Sequence, residues 1–129
     1  MPCPADFKPD FAKAGGLLPV IAQCVDTGEV LMLAYMNELA FAETLRTGEM
    51  HYWSRSRNSL WHKGGTSGHV QKVHSVRLDC DADTILVLVE QIGGAACHEG
   101  YKSCFFTEIT SDGERTCSPK VFDPKEVYK

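Results

Sequence analysis

Three aspartates at alternating positions could bind a metal ion. Asp79, Asp81 and Asp83 lie between two apolar segments. In an extended chain, alternate side chains point to the same face, so the three carboxylates would share one face. Like charges this close repel one another unless a cation lies among them, and carboxylate oxygens suit Mg²⁺, Mn²⁺ or Ca²⁺. The pattern therefore indicates a divalent-metal site, although an acidic turn exposed to solvent has the same composition.

A second group of residues carries thiols. Cys97 and Cys104 lie on a loop that follows a predicted strand, and Cys80 would point away from the aspartates that flank it. Three thiolates can bind zinc and leave a fourth position for water, which the metal acidifies toward hydroxide. His98 adjoins this site and is a candidate acid or base. On spacing alone, Cys97 and Cys104 could equally be small buried residues.

A third group combines aromatic, basic and hydroxyl side chains with glycines over residues 52–57 and 60–69. Glycines let the backbone approach an anion closely, and hydroxyl and N–H groups can bind phosphate oxygens. A tryptophan could stack on a base. A mobile surface loop would have a similar composition. The candidate substrate-binding residues are Trp53, Arg55, Arg57, Lys63, Thr66, Ser67 and His69.

The elements that position these groups indicate an α+β protein with a mainly antiparallel β-sheet and one or two short helices. Asn37 and Gly48 are expected to bound an amphipathic helix over 38–46, whose apolar residues are Leu39, Ala42 and Leu45 with Phe41 alongside. Residues 56–69 are predicted to be a long loop. We expect a lead-in at 1–16, one domain at 17–110 and a polar tail at 111–129. Strands are predicted at 17–25, 30–35, 50–55, 70–78, 84–92 and 104–110.

Composition limits the classes of protein that are possible. The chain has 129 residues, which suits one domain, and 43% of them are hydrophobic. The net charge of −4 argues against nucleic-acid binding through bulk charge. The N-terminal segment lacks the apolar stretch of a signal peptide, and no window is apolar enough for a membrane helix. We therefore expect a cytoplasmic protein, in which the six cysteines favour metal binding or catalysis over disulfides.

Taken in this order, the three groups resemble the phosphoribosyl-AMP cyclohydrolase family. The sequence reads YWSRSRNSLWHKGGTSGH, then LDCDADTILVLVEQ, then ACHEGYKSCF, and the earlier GEVLMLAYMNELAF is similar to the family's early strand and helix. The resemblance covers roughly residues 17–106. It implies a hydrolase of histidine biosynthesis that opens the purine ring of phosphoribosyl-AMP at the N1–C6 bond, giving the formimino-carboxamide ribotide (ProFAR).

The resemblance also implies roles for individual residues. Asp79, Asp81 and Asp83 match magnesium ligands, and Cys80, Cys97 and Cys104 match zinc ligands that are shared between the two chains of an intertwined homodimer. Zinc hydroxide would then be the nucleophile and His98 would move a proton. Arg55, Arg57, Lys63, Thr66 and Ser67 would hold a phosphate or the ribose. Gly65 departs from the family pattern, which has glutamate there.

Three other functions fit parts of the pattern. A divergent paralogue could act on another purine or on a related cyclic amidine. A non-enzymatic zinc module could use His98 as a fourth ligand beside the three cysteines. An RNA-binding protein could use Trp53 and Trp61, but the acidic balance and the aspartate cluster count against it.

Overall fold

The fold is described by a computed structural model, which describes residues 8–122. Residues 1–7 of the predicted lead-in and 123–129 of the predicted tail lie outside this range. A short 3-10 helix at Ala12–Ala14 comes first, and the α-helix, α1, spans Glu38–Thr47. The strands are β1 (Leu18–Cys24), β2 (Val30–Met36), β3 (His51–Ser54), β4 (Ser59–His62), β5 (Gln71–Leu78), β6 (Ile85–Gln91), β7 (Thr107–Thr110) and β8 (Gly113–Thr116).

One four-stranded sheet forms the centre of the fold, with strand order β2–β1–β6–β5. The outer pairs β1–β2 and β5–β6 are antiparallel, whereas the central pair β1–β6 is parallel. Two antiparallel hairpins, β3–β4 and β7–β8, complete the described strands. The predicted α+β class and the mainly antiparallel pairing are confirmed, with the central pair as the exception.

The core lies on one face of this sheet. β1 and β6 alternate buried and half-buried positions because successive strand side chains point to opposite faces. Leu18, Val20, Ile85, Val87 and Val89 are at most 1% exposed. Each such side chain contributes about 1.5–3 kcal/mol through its burial, so the two central strands form a rigid base for the loops at their ends.

Helix α1 begins and ends as the sequence predicts. The side chain of Asn37 accepts a hydrogen bond from the backbone N of Ala40 at 2.9 Å, and Gly48 ends the helix with φ 76°. The packed face is different from the expected one, because Ala40 and Thr44 are the buried residues. The apolar residues Leu39, Ala42 and Leu45 are exposed to solvent in the single chain.

Two predictions about irregular segments are wrong. Residues 56–69 contain β4, which pairs with β3 through a turn that includes Asn58 at φ 50°, and the Tyr52 and Trp61 rings meet at 5.4 Å across the pair. The turn residues Ser, Arg and Asn hid this strand from the sequence pattern, since the strand has only four residues and the glycines follow soon after it. The polar residues after Ser111 include β8, which pairs with β7 although its side chains are exposed.

A chain of buried polar side chains fixes the segment before β5. The Tyr52 hydroxyl donates to Gln71 Oε1 at 2.7 Å, and Gln71 Nε2 donates to Gln91 Oε1 at 2.8 Å. Gln91 Nε2 in turn donates to the carbonyl oxygen of His69 at 3.0 Å. Buried polar groups that are paired in this way hold a unique arrangement, so the glycine-containing loop is tied to β3 and β6.

Candidate active site and metal sites

The aspartate cluster lies in the turn that joins β5 to β6. The expected extended conformation is wrong: Cys80 and Asp81 form a turn, and Ala82 has φ 61°. The backbone N of Ala82 donates to the carbonyl oxygen of Asp79 at 3.1 Å, which closes the turn. Carboxylate oxygens of Asp79, Asp81 and Asp83 nevertheless all lie within 4.8 Å of one another. The three carboxylates are therefore close together as predicted, but a turn and not an extended strand brings them there.

The electrostatics of this cluster suit a hard cation. Partial desolvation and the neighbouring carboxylates, Asp81 foremost, raise the pKa of Asp83. Desolvation also acts to raise the pKa of Asp79, but backbone N–H groups of Asp83 and Thr84 outweigh it, so this pKa is lowered. The ammonium group of Lys13 lies 3.4 Å from Asp81 and 3.5 Å from Asp83. A divalent ion with oxygen ligands would relieve the same repulsion that Lys13 partly relieves.

The second site is the loop that follows β6. The backbone N of Ala96 donates to the carbonyl oxygen of Lys102 at 3.0 Å, and that of Cys97 donates to Tyr101 at 3.2 Å. These two bonds close residues 96–102 into a narrow loop, and Cys104 follows two positions later. The backbone N of Cys104 donates to the carbonyl oxygen of Leu31 at 2.7 Å, which attaches the loop to the start of β2.

The two thiols act on each other. Part of Cys104 is exposed to solvent, but its thiol group is largely surrounded by protein atoms. This desolvation and the neighbouring thiol of Cys97 raise the pKa of Cys104 to about 11. Lys63 opposes this rise. A thiol in such surroundings is deprotonated by a coordinated metal ion, and thiolate sulfur favours soft or borderline ions such as Zn²⁺. The donor set therefore fits zinc, with two ligands from this loop.

Cys80 cannot complete that donor set within one chain. Cys80 lies in the turn where β5 stops and β6 begins, whereas Cys97 follows the other end of β6 and Cys104 is bonded to Leu31 of β2, at the far edge of the sheet from β5. The three cysteines do not form a common group of metal ligands within the described residues. At ~3.3 Å per residue, the seven residues of β6 separate the two ends by about 20 Å. Two sulfurs on one zinc ion lie within about 4 Å of each other, since each Zn–S bond is ~2.3 Å.

The residues from 117 to 122 cover the outer side of this cysteine loop. The backbone N of Lys102 donates to the carbonyl oxygen of Pro119 at 2.9 Å, and that of Val121 donates to Gly100 at 2.5 Å. Gly100 has φ 94°, and a Cβ there would lie 1.9 Å from the carbonyl oxygen of Phe122. Glycine is therefore required at this position, and the segment packs against the loop without a gap.

Three of the candidate substrate-binding residues line one groove. Trp53, Arg55 and Arg57 border an open groove of about 570 Å³ between the β3–β4 hairpin and β2. The guanidinium carbon of Arg55 lies 3.9 Å from the centre of the Tyr35 ring, an arrangement that orients the positive charge. Tyr35 was not predicted as a site residue, because the sequence does not show that β2 lies beside β3 and brings Tyr35 to Arg55.

The glycine-containing loop brings the other candidates to a different place. Lys63, Thr66, Ser67 and His69 are not among the described residues that line the groove. Gly64 has φ 81°, and a Cβ there would lie 2.3 Å from the carbonyl carbon of His69, so only glycine allows this crossing. Ser67 Oγ accepts a hydrogen bond from the backbone N of His69 at 3.2 Å. The buried Nδ1 of His69 has no hydrogen-bond partner within residues 8–122.

The surroundings of Gly65 contain a carboxylate from another segment. A Cβ at Gly65 would lie 3.0 Å from Nδ1 of His62. Nε2 of the same ring lies 2.7 Å from a carboxylate oxygen of Glu49, and the ring stacks on that of His51 with centres 4.5 Å apart. No sequence signal connected Glu49 to this loop, because β3 and β4 had not been paired.

Comparison with known proteins identifies the family. Residues 32–106 match the family model described as phosphoribosyl-AMP cyclohydrolase. A protein of that name from Nitratidesulfovibrio vulgaris (strain DP4) is 71% identical over 123 residues, covering 95% of this chain and 98% of the relative. A protein of the same name from Oleidesulfovibrio alaskensis is 70% identical, covering 96% of this chain and 95% of the relative. Another from Streptococcus thermophilus is 62% identical, covering 84% of this chain and 96% of the relative. The chain belongs to the phosphoribosyl-AMP cyclohydrolase family, a family of enzymes.

The candidate site residues remain predictions, and the structure arranges them in three places. The aspartates share one turn, the cysteine pair shares one loop beside Lys63, and the Trp-Arg segment borders the groove. Within residues 8–122, no helix is long and apolar enough to cross a membrane.

Proposed function

We propose that this protein hydrolyses phosphoribosyl-AMP to the formimino-carboxamide ribotide in histidine biosynthesis, in the cytoplasm. Family membership supports the reaction, and one structural observation carries the chemistry: the closed loop that brings Cys97 and Cys104 together beside a buried lysine. This arrangement provides two soft ligands and leaves the remaining positions of a tetrahedral metal to other groups.

The third zinc ligand is Cys80 of a second copy of the chain. The separation of Cys80 from Cys97 and Cys104 within one chain supports this, since a twofold dimer can bring the aspartate end of one chain to the cysteine loop of the other. The exposed apolar residues Leu39 and Leu45 of α1 and Leu33 of β2 support a protein interface, since they are 45–52% exposed in the single chain. Asp79, Asp81 and Asp83 would then hold Mg²⁺ close to the same active site.

The reaction adds the oxygen of water to C6 of the purine, breaks the N1–C6 bond and places a proton on N1. Cys97, Cys104 and the partner chain's Cys80 would hold a zinc ion, which would supply an activated water at neutral pH, and Asp79, Asp81 and Asp83 would hold Mg²⁺, which would neutralise a substrate phosphate. Arg55 and Arg57 hold phosphate oxygens at the groove, where Trp53 offers a ring for stacking. Thr66, Ser67 and His69 hold the other phosphate or the ribose, and His98 delivers the proton. The Lys63 ammonium, which the sequence pattern also assigned to substrate, bonds to the cysteine loop instead.

A spectrophotometric assay with phosphoribosyl-AMP tests this function. We expect ring opening by the purified, zinc-loaded protein, and we expect the rate to depend on added Mg²⁺. The Asp81→Asn variant is the matched control, because it keeps the cysteine loop and should lose the stimulation by Mg²⁺. A folded, zinc-containing protein without turnover would contradict the proposed substrate and leave a paralogue that acts on another purine or cyclic amidine.

Replacement of His98 with alanine tests the proton transfer. His98 is exposed and directly follows the buried Cys97, so its removal leaves the packing of the loop intact. We expect kcat to fall by roughly 10²–10⁴-fold, the usual contribution of a general acid or base, with unchanged zinc content. An unchanged kcat would remove His98 from the mechanism. A variant that loses zinc would show that His98 is a metal ligand, as in the closed zinc module.

A further inference from the structure

Lys63 is a buried lysine without a carboxylate partner. The residue is 8% exposed, and its ammonium group donates to the carbonyl oxygen of Ala96 at 2.6 Å. No carboxylate oxygen of residues 8–122 lies within ion-pair distance of its Nζ. Lysine is rarely buried unless it is paired, because removal of a charge from water is costly. A charged ammonium at this place requires an anionic group other than a carboxylate close to it.

The two thiols of the cysteine loop are the groups that can supply it. The Lys63 ammonium lies close enough to Cys104 and Cys97 to interact with both thiols. The indole ring of Trp61 adds a weaker contact, with Nζ 5.4 Å from the ring centre. Ala96, which accepts the hydrogen bond, directly precedes Cys97. The ammonium group therefore interacts with the cysteine loop in two ways: it is bonded to Ala96 and it lies close to the two thiols.

The backbone around Lys63 holds this position firmly. The backbone N of Lys63 donates to the carbonyl oxygen of Met50 at 3.1 Å, and Met50 is fully buried. The next residue, Gly64, passes so close to His69 that no other residue type fits. The lysine side chain thus extends from a fixed point into the cysteine loop.

We propose that Lys63 is a positioning residue of the zinc site, where its buried ammonium compensates the negative charge of the thiolates and its bond to Ala96 fixes the loop that carries Cys97. The inference rests on the proposed function. A divalent ion bound by three thiolates carries a net charge of about −1, and an adjacent ammonium lowers the cost of burying it. Polar partners of metal ligands typically contribute 10–100-fold to metal affinity.

Zinc affinity of the dimeric protein, measured by competition with a chromophoric chelator, tests the proposal. Lys63→Met removes the charge and the hydrogen bond, whereas Lys63→Gln removes the charge and keeps an N–H donor. We expect both variants to bind zinc about 10–100-fold more weakly than the unmodified protein. Lys102→Met is the matched control, because Lys102 lies on the same loop but pairs with Glu29 at 3.0 Å. We expect it to change the affinity by less than about threefold, because Lys102 pairs with a carboxylate and not with the thiols.

Cobalt substitution gives a readout that a purely structural role would not change. A positive charge beside the sulfur atoms stabilises their electrons, so charge transfer from sulfur to Co²⁺ requires more energy. We expect the charge-transfer band to move to longer wavelength in Lys63→Met and Lys63→Gln, and to stay in place in Lys102→Met.

Three results would overturn the inference. The first is folded Lys63→Met and Lys63→Gln proteins with unchanged zinc affinity and an unchanged cobalt band. The second is an equal loss of affinity in Lys102→Met. The third is loss of the fold in both neutral variants, since Lys63 would then act on the fold and not on the metal. If the unmodified protein itself bound no zinc, the zinc site of the proposed function would be wrong. That result differs from the three above, in which the unmodified protein binds zinc.

Discussion

The Cys97→Ser variant is expected to lose its zinc and nearly all of its activity. Serine keeps the size of the side chain, but its hydroxyl stays protonated and is a poor ligand for zinc at neutral pH. We expect kcat to fall by at least ~100-fold, because even the outer partners of metal ligands contribute 10–100-fold. Zinc content by elemental analysis and turnover of phosphoribosyl-AMP are measured on the same sample.

The control for this experiment is Cys117→Ser. Cys117 is exposed, and its thiol contacts only the backbone carbonyl oxygen of Phe105 among the hydrogen bonds of the described residues. This variant should keep its zinc and its activity. Full turnover by a zinc-free Cys97→Ser protein would exclude zinc from the reaction.

Mixing two inactive variants is expected to restore activity if the zinc site is shared between chains. A dimer of one Cys80→Ser chain and one Cys97→Ser chain has one site with all three cysteines and one site that lacks two of them. Random pairing makes half of the dimers mixed, and each has half of its sites intact, so about one quarter of the normal activity should return. The two variants are coexpressed or refolded together, and turnover and zinc content are compared with those of each variant alone.

The control mixture combines Cys97→Ser with Cys104→Ser. Both changes affect the same loop, so a mixed dimer has no site with a complete donor set and should stay inactive. Activity in this control, or none in the first mixture, would contradict a site formed by Cys80 of one chain and the loop of the other.

Local sequence signals predicted the regular elements well. Asn37 and Gly48 bound α1 in the structure because capping depends on the chemistry of single residues and needs no tertiary context. The apolar, β-branched segments that became β1 and β6 were also recognisable, since every second residue of each strand packs in the core and the residues between are mostly apolar and half-buried. The residue types of the aspartate and cysteine groups indicated metal binding before any geometry was known.

Tertiary context decided what the sequence could not predict. The face of α1 that packs contains Ala40 and Thr44, because Thr44 Oγ1 binds the backbone of His51 and the small Ala40 allows close approach. The aspartates converge through a turn, where the left-handed Ala82 replaces the expected pleat. The burial of Lys63 beside the thiols depends on the β3–β4 hairpin, which polar turn residues concealed.

The contact between residues 117–122 and the cysteine loop has a consequence for limited proteolysis. Cleavage before residue 117 would remove the partners that bond to Lys102 and Gly100 but would leave Cys97 and Cys104 in the chain. The bonds within the loop would remain, whereas the side that residues 117–122 contact would open to solvent. A clipped protein would therefore keep its metal-binding thiols and expose them to oxidation.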